Sequence, residues 1–501
     1  TRLARPVRPG RSNFRQVPIG VVVPRTLDDV VAVHRVCHDF GAPVLNRGGG
    51  TSLSGETVNE AVVIDHSKYL TAIGEIDTER RLVTCEPGVI NEELNRHTGP
   101  YGLVFGPDPS SHSRCVIGGN IGNNSCGIHS VQSQLYGPGP RTSDNVHALE
   151  VVTYDGARFW VGVNEEERLD DIIAAGGRKG EIYAALRDLR DKYADAIRAG
   201  FHSVEEVPRR VSGYNLDELL PERGFNVARA LVGTESTCAT ALRAVLMLTP
   251  ALLERTTVVV EYEDLAAAAE HCTEIIEKFR PIGLEGLDHQ LIQDQQLKNM
   301  NVEDIKELPH PQGGGWLVVQ FGADSAEESV AQADRFRAWL TGEKGYAPDR
   351  IRMAKSEQEG GTSEHLWAIR ESGLGSTAFP PDGQDTGPAG RTPPSRPTGS
   401  ASTCASCATS WHGTASPAHV RPLRPGLHPL PAQLRPAHRR RHRHLSGVHG
   451  GRRRPGRSMG GSISGEHGDG QQRAELLVKQ YGPNCSRPCA SSRPSGTPSG
   501  R

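Results

Sequence analysis

Asn46-Arg47-Gly48-Gly49-Gly50-Thr51-Ser52-Leu53-Ser54-Gly55 is the stretch whose reading decides the fold. It follows an apolar run, Ala42-Pro43-Val44-Leu45, and crowds glycines and hydroxyl side chains into one turn. Glycines, lacking Cβ, can take positive φ and aim successive backbone N–H groups into one concavity, and Thr51, Ser52 and Ser54 add hydroxyl donors. Such a concavity fits a phosphate or pyrophosphate. No Gly-Lys-Ser/Thr closes it, so it is not a P-loop, and no G-x-G-x-x-G opens a helix there. Taken alone, the stretch is equally well explained as a glycine-rich hairpin without a ligand, since turn chemistry also selects glycine.

A second stretch repeats the chemistry. Gly106-Pro107-Asp108-Pro109-Ser110-Ser111 leads to Ile117-Gly118-Gly119-Asn120-Ile121-Gly122-Asn123-Asn124-Ser125-Cys126-Gly127, again small, polar and rich in amide donors. Two such loops can enclose one large anionic ligand. With Tyr136-Gly137 and Gly233-Thr234-Glu235-Ser236-Thr237 following, the chain resembles the FAD-linked oxidases of the vanillyl-alcohol oxidase/PCMH type, in particular the D-lactate dehydrogenase and glycolate oxidase flavin subunit family. The resemblance runs from about Phe14 to Asp385 and returns at Ser458 to Gly482. It implies an α+β fold: a PCMH-type FAD-binding domain of two α/β subdomains over residues 16–246, and an α+β substrate-capping domain over residues 247–385, with a remnant at 458–482. It further implies cofactor contacts from Arg47, Gly48, Gly49, Gly50, Thr51, Ser52, Pro107, Asp108, Ser110, Gly118, Gly119, Asn120, Gly122, Asn123, Asn124, Gly127, Tyr136, Gly137, Gly233 and Glu235. Relatives with covalently attached FAD place a histidine after the glycines of the first loop; Thr51 stands there, so noncovalent FAD is expected. Ser236 and Cys238 depart from the glycine and leucine usual in the family.

Composition narrows the class. The 501 residues suffice for two or three domains, and a formal charge of -2 gives no reason to expect a nucleic-acid partner. No run of about 18 apolar residues exists. The opening Thr1-Arg2-Leu3-Ala4-Arg5 has no signal-peptide character, so a cytoplasmic protein is expected, with peripheral membrane association left open. Cys37, Cys85, Cys115, Cys126, Cys238 and Cys272 are scattered singly and read as thiols. Cys404-x-x-Cys407 and Cys485-x-x-x-Cys489 mimic metal spacing without a properly placed second pair.

Secondary structure follows from pattern. Val17 to Val23 reads as a β-rich run and Thr26 to His34 as an N-capped amphipathic helix. Ala61–Ile64 and Leu82–Glu86 read as strands, Asn91–His97 as a short helix, and Leu149–Phe159 as a hairpin turning on Asp155-Gly156. Ile182–Ala199 reads as a charged, solvated helix. Beyond Pro250, Thr257–Tyr262, Ala266–Phe279, Gly315–Phe321 and Ala326–Leu340 form two strand-helix repeats, followed by a helix over Ser363–Arg370.

Residues 386–457 break the pattern. No Asp, Glu, Lys, Asn, Ile, Met, Phe or Tyr occurs there, while Arg, Pro, Ser, Ala, Gly, Thr and His crowd together, a composition that cannot build a core. A basic tail anchored by Arg439-Arg440-Arg441-His442-Arg443-His444 is one reading. A GC-rich gene read out of frame is the preferred one. Dropping one base from degenerate codons for Val420 to Pro429 permits Tyr-Gly-His-Phe-Gly-Gln-Gly-Cys-Ile-His, which matches the family's metal-binding signature. Residues 483–501, and more weakly the opening Thr1 to Arg11, read the same way.

Oxidising a 2-hydroxy acid requires removal of the hydroxyl proton, a hydride acceptor near Cα and a pinned carboxylate. By resemblance, His467 in Ser464-Gly465-Glu466-His467-Gly468-Asp469-Gly470 is the base and Arg370 pairs with the carboxylate. Glu466 and two histidines would hold a divalent metal such as Zn or Mn, but those histidines are lost in the misframed segment. The implied substrate is a small D-2-hydroxy acid of the D-lactate, glycolate or 2-hydroxyglutarate class. Electrons would leave to a quinone, a cytochrome or an Fe-S partner. A nicotinamide-dependent reductase of the same flavin fold, and a flavin-binding but inactive product of a damaged gene, are the alternatives.

Overall fold

A computed structural model describes residues 14–162, 164–203, 206–355, 362–373 and 464–478, together with Ser12, Ser462 and residues 480–481. Residues 386–457 and 483–501, with the Cys404 and Cys485 motifs, the charged Arg439 run and the Thr1 to Arg11 opening, lie outside the described residues. The chain divides into two compact units, one containing residues up to Leu253 together with Ser464–Gln471, the other beginning at Glu254.

The first unit opens on a three-stranded parallel sheet in the order Gly20–Val22, Val62–Asp65, Val44–Arg47. The helix Leu27–Asp39 connects its first two strands in sequence. Its start is fixed by a capping box: Thr26 Oγ1 accepts from Asp29 N at 3.2 Å, and the Asp29 carboxylate accepts from Thr26 N at 2.9 Å. Leu27, Val30, Val31, His34 and Cys37 are buried at helical spacing. Completely burying a side chain such as Val30 contributes roughly 1.5–3 kcal/mol.

Five antiparallel strands follow in the order Ile73–Asp77, Leu82–Cys85, Thr240–Met247, Val146–Val152, Arg158–Gly162. The hairpin turns at Asp155-Gly156, where Gly156 has φ +81°. The central strand Thr240–Met247 alternates buried and half-buried positions, so one face packs on the core, where Val83, Leu149, Val151 and Tyr183 belong to one apolar cluster. The charged helix Gly177–Gly200 is mostly solvated, yet it buries Tyr183 and Ile197 and pairs Arg190 with Glu166 at 2.8 Å. The second glycine-rich block, expected as a loop, contains the helix Ile117–Asn123. Ile117 and Ile121, one turn apart, are both buried, and Asn124 ends the helix in the left-handed region at φ +49°.

The second unit holds a four-stranded antiparallel sheet in the order Gly283–Asp288, Gly315–Ala323, Glu254–Tyr262, Ile351–Lys355. Helices Leu265–Phe279 and Ala326–Gly342 bury Cys272, Ile275, Phe336 and Leu340 against Val258, Val260, Leu317, Val319 and Phe321. The strands Gly283–Asp288 and Ile351–Lys355 complete the two strand-helix repeats read from sequence. Cys37, Cys85, Cys115, Cys126 and Cys238 are free thiols. Cys272 is buried in the second unit, its Sγ 3.6 Å from the Ala268 carbonyl. Among the described residues no helix is long and apolar enough to cross a membrane.

Candidate functional site

Steric contact explains why the first loop needs glycine. A Cβ on Gly48 would come within 2.3 Å of Val116 Cγ2, and one on Gly49 within 2.2 Å of the Arg114 carbonyl oxygen. The loop therefore rests directly on the segment that leads into Ile117–Asn123. Gly50 has φ +67° and lies under the folded Arg47 side chain, whose Nη2 would be 2.7 Å from an added Cβ. In the second block, a Cβ on Gly118 would meet Pro87 and one on Gly127 would sit 1.7 Å from the Asp108 carbonyl oxygen. Gly119 and Gly122 differ: an added Cβ would meet nothing closer than 3.9 Å at either. These two glycines leave an open flank on the short helix.

Polar groups join four separated stretches. Gly233 N donates to Ile121 O at 2.8 Å and Glu235 N to Gly122 O at 2.9 Å, seating the 233–237 turn on the second block. Ser52 Oγ bonds Glu56, and Asn123 Nδ2 donates to Glu56 Oε1 at 3.2 Å. Into this arrangement comes the turn Ser464–Gly470. Glu235 Oε1 accepts from Asp469 N at 2.8 Å and Gly470 N at 2.9 Å, while the Asp469 carboxylate accepts from Gly213 N at 2.6 Å and Ser212 Oγ at 3.0 Å. The His467 carbonyl accepts from Asn123 Nδ2 at 3.4 Å, and the His467 ring nitrogen Nε2 lies 2.6 Å from Glu466 Oε1. Burial first, then the Glu56 and Asp469 charges, push the Glu235 carboxyl up to about 8.

The structure thus brings Ser52, Asn123, Glu235 and the Glu466-His467 pair into one neighbourhood. Other candidates are engaged elsewhere. Pro107 O accepts from Asn91 Nδ2 at 3.0 Å, Asp108 faces His129 Nδ1 at 2.7 Å and His112 Nδ1 at 3.4 Å, and Ser110 is half-buried beside them in sequence. Thr51 is half-buried at the end of the first loop, and Asn120 is buried inside the short helix. Tyr136 ends the helix Ser130–Tyr136, and Gly137 packs against Thr249. Arg370, in the second unit, is buried with its Nε 2.8 Å from the equally buried Glu285. Glu56, Asp469, Ser212 and Gly213 were not among the candidates: Asp469 stood inside the quoted Ser464–Gly470 block without a role, Glu56 lies four residues from Ser52, and Ser212 and Gly213 meet Asp469 only through the fold.

The residues present fit FAD in one testable respect. Gly119 and Gly122, where an added Cβ would meet nothing closer than 3.9 Å, leave a flank of backbone open to a ligand, and Asn124 Nδ2 and Ser143 Oγ are buried donors with no partner among the described residues. A metal does not fit in the same way. Among the described residues no group of three or more His, Cys, Asp or Glu side chains could hold one, so Glu466 belongs to no such set there.

Comparison with known proteins gives the site its setting. A model of the FAD binding domain matches residues 18–162, and a model of the C-terminal domain of FAD linked oxidases matches residues 253–383 and 425–486. The second stretch starts inside the segment read above as misframed. D-2-hydroxyglutarate dehydrogenase of Pseudomonas putida is 28% identical over 336 residues, covering 65% of this chain and 32% of that protein. Glycolate oxidase subunit GlcD is 30% identical over 277 residues in Bacillus subtilis, covering 55% of this chain and 46% of the relative. The Escherichia coli K12 subunit is 34% identical over 222 residues, 42% and 43% respectively. The chain spans about a third of the dehydrogenase and less than half of either subunit. A solved alkyldihydroxyacetonephosphate synthase, at 13% identity and TM-score 0.46 over 71% of this chain and 57% of that one, is too distant to carry an argument. An FAD binding domain in the N-terminal part and the oxidases' C-terminal domain after it establish that this chain belongs to the FAD-linked oxidases.

Proposed function

We propose that the chain derives from an enzyme that oxidises a small D-2-hydroxy acid and passes the electrons to a quinone, cytochrome or Fe-S acceptor. The observation that carries this reading is the docking of the Glu466-His467 turn onto the glycine-rich loops, through Asn123 and Glu235. FAD, when bound, supplies the two-electron acceptor. His467 takes the hydroxyl proton; Glu466, bonded to its ring at 2.6 Å, orients the imidazole. Arg370 is assigned to the substrate carboxylate, with Glu285 fixing the guanidinium plane at 2.8 Å. No step is routed through a metal.

A second reading is favoured by residues 386–457, whose composition cannot build a core: a chain that retains FAD without turnover. Resequencing the coding DNA tests the frame assignment, with insertions or deletions expected near the codons for Asp385, between those for Ala415 and Val420, just before Ser458 and near Asn484. A confirmed, uninterrupted frame overturns it. The reaction class is tested by anaerobic bleaching of the bound flavin with D-lactate, D-2-hydroxyglutarate or NADPH in a frame-corrected chain. Bleaching by a hydroxy acid supports the proposal; bleaching by NADPH alone replaces it with the nicotinamide-dependent reductase.

A further inference from the structure

We propose that Thr240 is a positioning residue for FAD: it is the hub of a hydrogen-bonded chain, His66–Asn46–Thr240–His34, buried except at the half-buried Asn46, that holds the first glycine-rich loop in its FAD-binding conformation. Asn46 lies on the strand Val44–Arg47, immediately before Arg47-Gly48-Gly49. Its Oδ1 is 2.9 Å from His66 Nε2, its Nδ2 donates to Thr240 Oγ1 at 2.6 Å, and Thr240 Oγ1 is 2.9 Å from His34 Nε2. Asn46 and His66 border the parallel sheet, whereas Thr240 begins the central strand of the antiparallel one, so the chain ties the two sheets of the first unit together beside the loop.

An amide oxygen only accepts, so His66 Nε2 donates to Asn46, and Asn46 donates to Thr240; with His34 as its Nδ1–H tautomer, the Thr240 hydroxyl donates to His34 Nε2. Both imidazoles are then neutral, and the Nδ1 of each is buried with no partner among the described residues. Thr240, His34 and His66 are 2%, 3% and 4% exposed. Apolar side chains of the same size would join two sheets without leaving ring nitrogens unsatisfied, so what the polar chain contributes is direction: it fixes the Asn46 side chain and the backbone that follows it.

The arrangement also makes the loop sensitive to acid. Burial lowers His34 to about 4 and, with the neighbouring His34 adding and Asp65 opposing, His66 to about 4. The charged and titratable groups facing these rings are each other and Asp65, with Arg47 interacting with Asp65; Thr240 brings no charge from its strand. Protonating His34 Nε2 removes the acceptor for Thr240, and protonating His66 Nδ1 creates a buried donor with no acceptor. The inference rests on FAD binding by this unit and not on the chemistry assigned to His467.

The test is the FAD dissociation constant of the full chain, read by flavin absorbance of the retained fraction after ultrafiltration from about pH 8 to about pH 3.5, a range that spans the folded-state titration of both histidines. Thr240→Val, close in shape but lacking the hydroxyl, should weaken FAD binding about tenfold at neutral pH, and Thr240→Ser should restore it. Wild-type affinity should fall as pH drops through about 4, where His34 and His66 take up protons in the fold, with faster amide exchange in a peptide spanning Val44–Ser54, a readout that needs no variant. Equal affinity of the Val, Ser and wild-type proteins, or a wild-type affinity flat across this range, overturns the inference while leaving FAD binding intact. A folded wild-type chain that takes up no FAD at neutral pH overturns the FAD reading and this inference with it.

Discussion

The two units solve the problem of a buried constraint in opposite ways. In the first, the decisive contacts are backbone against backbone, and the residue required is one with no side chain: Gly127 lies against the Asp108 carbonyl, Gly49 against the Arg114 carbonyl. In the second, the decisive contact is charge against charge, Arg370 with Glu285, on the sheet face opposite the core built from Val258, Val260, Leu317, Phe321 and Phe336. A glycine constraint tolerates no addition, and an ion-pair constraint tolerates no removal.

The largest effect is therefore expected from taking away one charge. Glu285→Ala leaves the Arg370 guanidinium buried without this carboxylate and should destabilise the second unit by about 3–5 kcal/mol, read by urea unfolding. Simultaneous replacement of both residues by apolar ones of similar size should recover most of that loss; no recovery would show that the pair is not the source. In the first unit, Gly127→Ala should cost about 3 kcal/mol by overpacking, whereas Gly119→Ala, inside the helix Ile117–Asn123 and with only a 3.9 Å contact to Val116, should be neutral or stabilising by up to about 1 kcal/mol. Equal melting temperatures for the two variants would break the backbone half of the comparison.

Acid adds a smaller, graded effect. His34 and His66 titrate near 4 in the fold against 6.5 for the free side chain, so the unfolded chain takes up protons first and stability is lost as pH falls below about 6.5. Each contributes about 2 kcal/mol of loss by about pH 5. Glu235 acts with the opposite sign: its carboxyl is raised to about 8 from 4.5, so it opposes folding progressively as pH rises through that window. Unfolding free energy measured against pH should accordingly decline on both sides, and Glu235→Gln, which keeps an acceptor for the Asp469 and Gly470 amides, should flatten the alkaline side alone.

How much of this was legible depended on the range of the interaction. The helix Leu27–Asp39 was readable because Thr26 and Asp29 cap it locally and Val30, Val31 and His34 share a face. The glycine loops were readable because glycine itself is the signal. The strand Gly283–Asp288 was not, since two glycines and two acidic residues argue against a strand; Glu285 is accommodated there by Arg370, far along the sequence. The helix Ile117–Asn123 was hidden by its glycines, though the Ile117–Ile121 spacing marked it. The turn at residues 233–237 shows the reverse: Ser236, noted as a departure from glycine, has φ +57°, in the region glycine favours. Ser236→Gly should stabilise the first unit by about 0.5–1 kcal/mol, the smallest of these effects, visible as a raised melting temperature.

The central claim is that the FAD-binding unit stands independently of residues 386–457 while turnover does not. It is tested most directly by loading the chain as written and a frame-corrected version with FAD side by side, then adding D-2-hydroxyglutarate or D-lactate without oxygen. The account predicts that both retain FAD and that only the corrected chain is bleached. Equal bleaching of the two would contradict it, showing that residues 386–457 are genuine and that the site has been assigned wrongly.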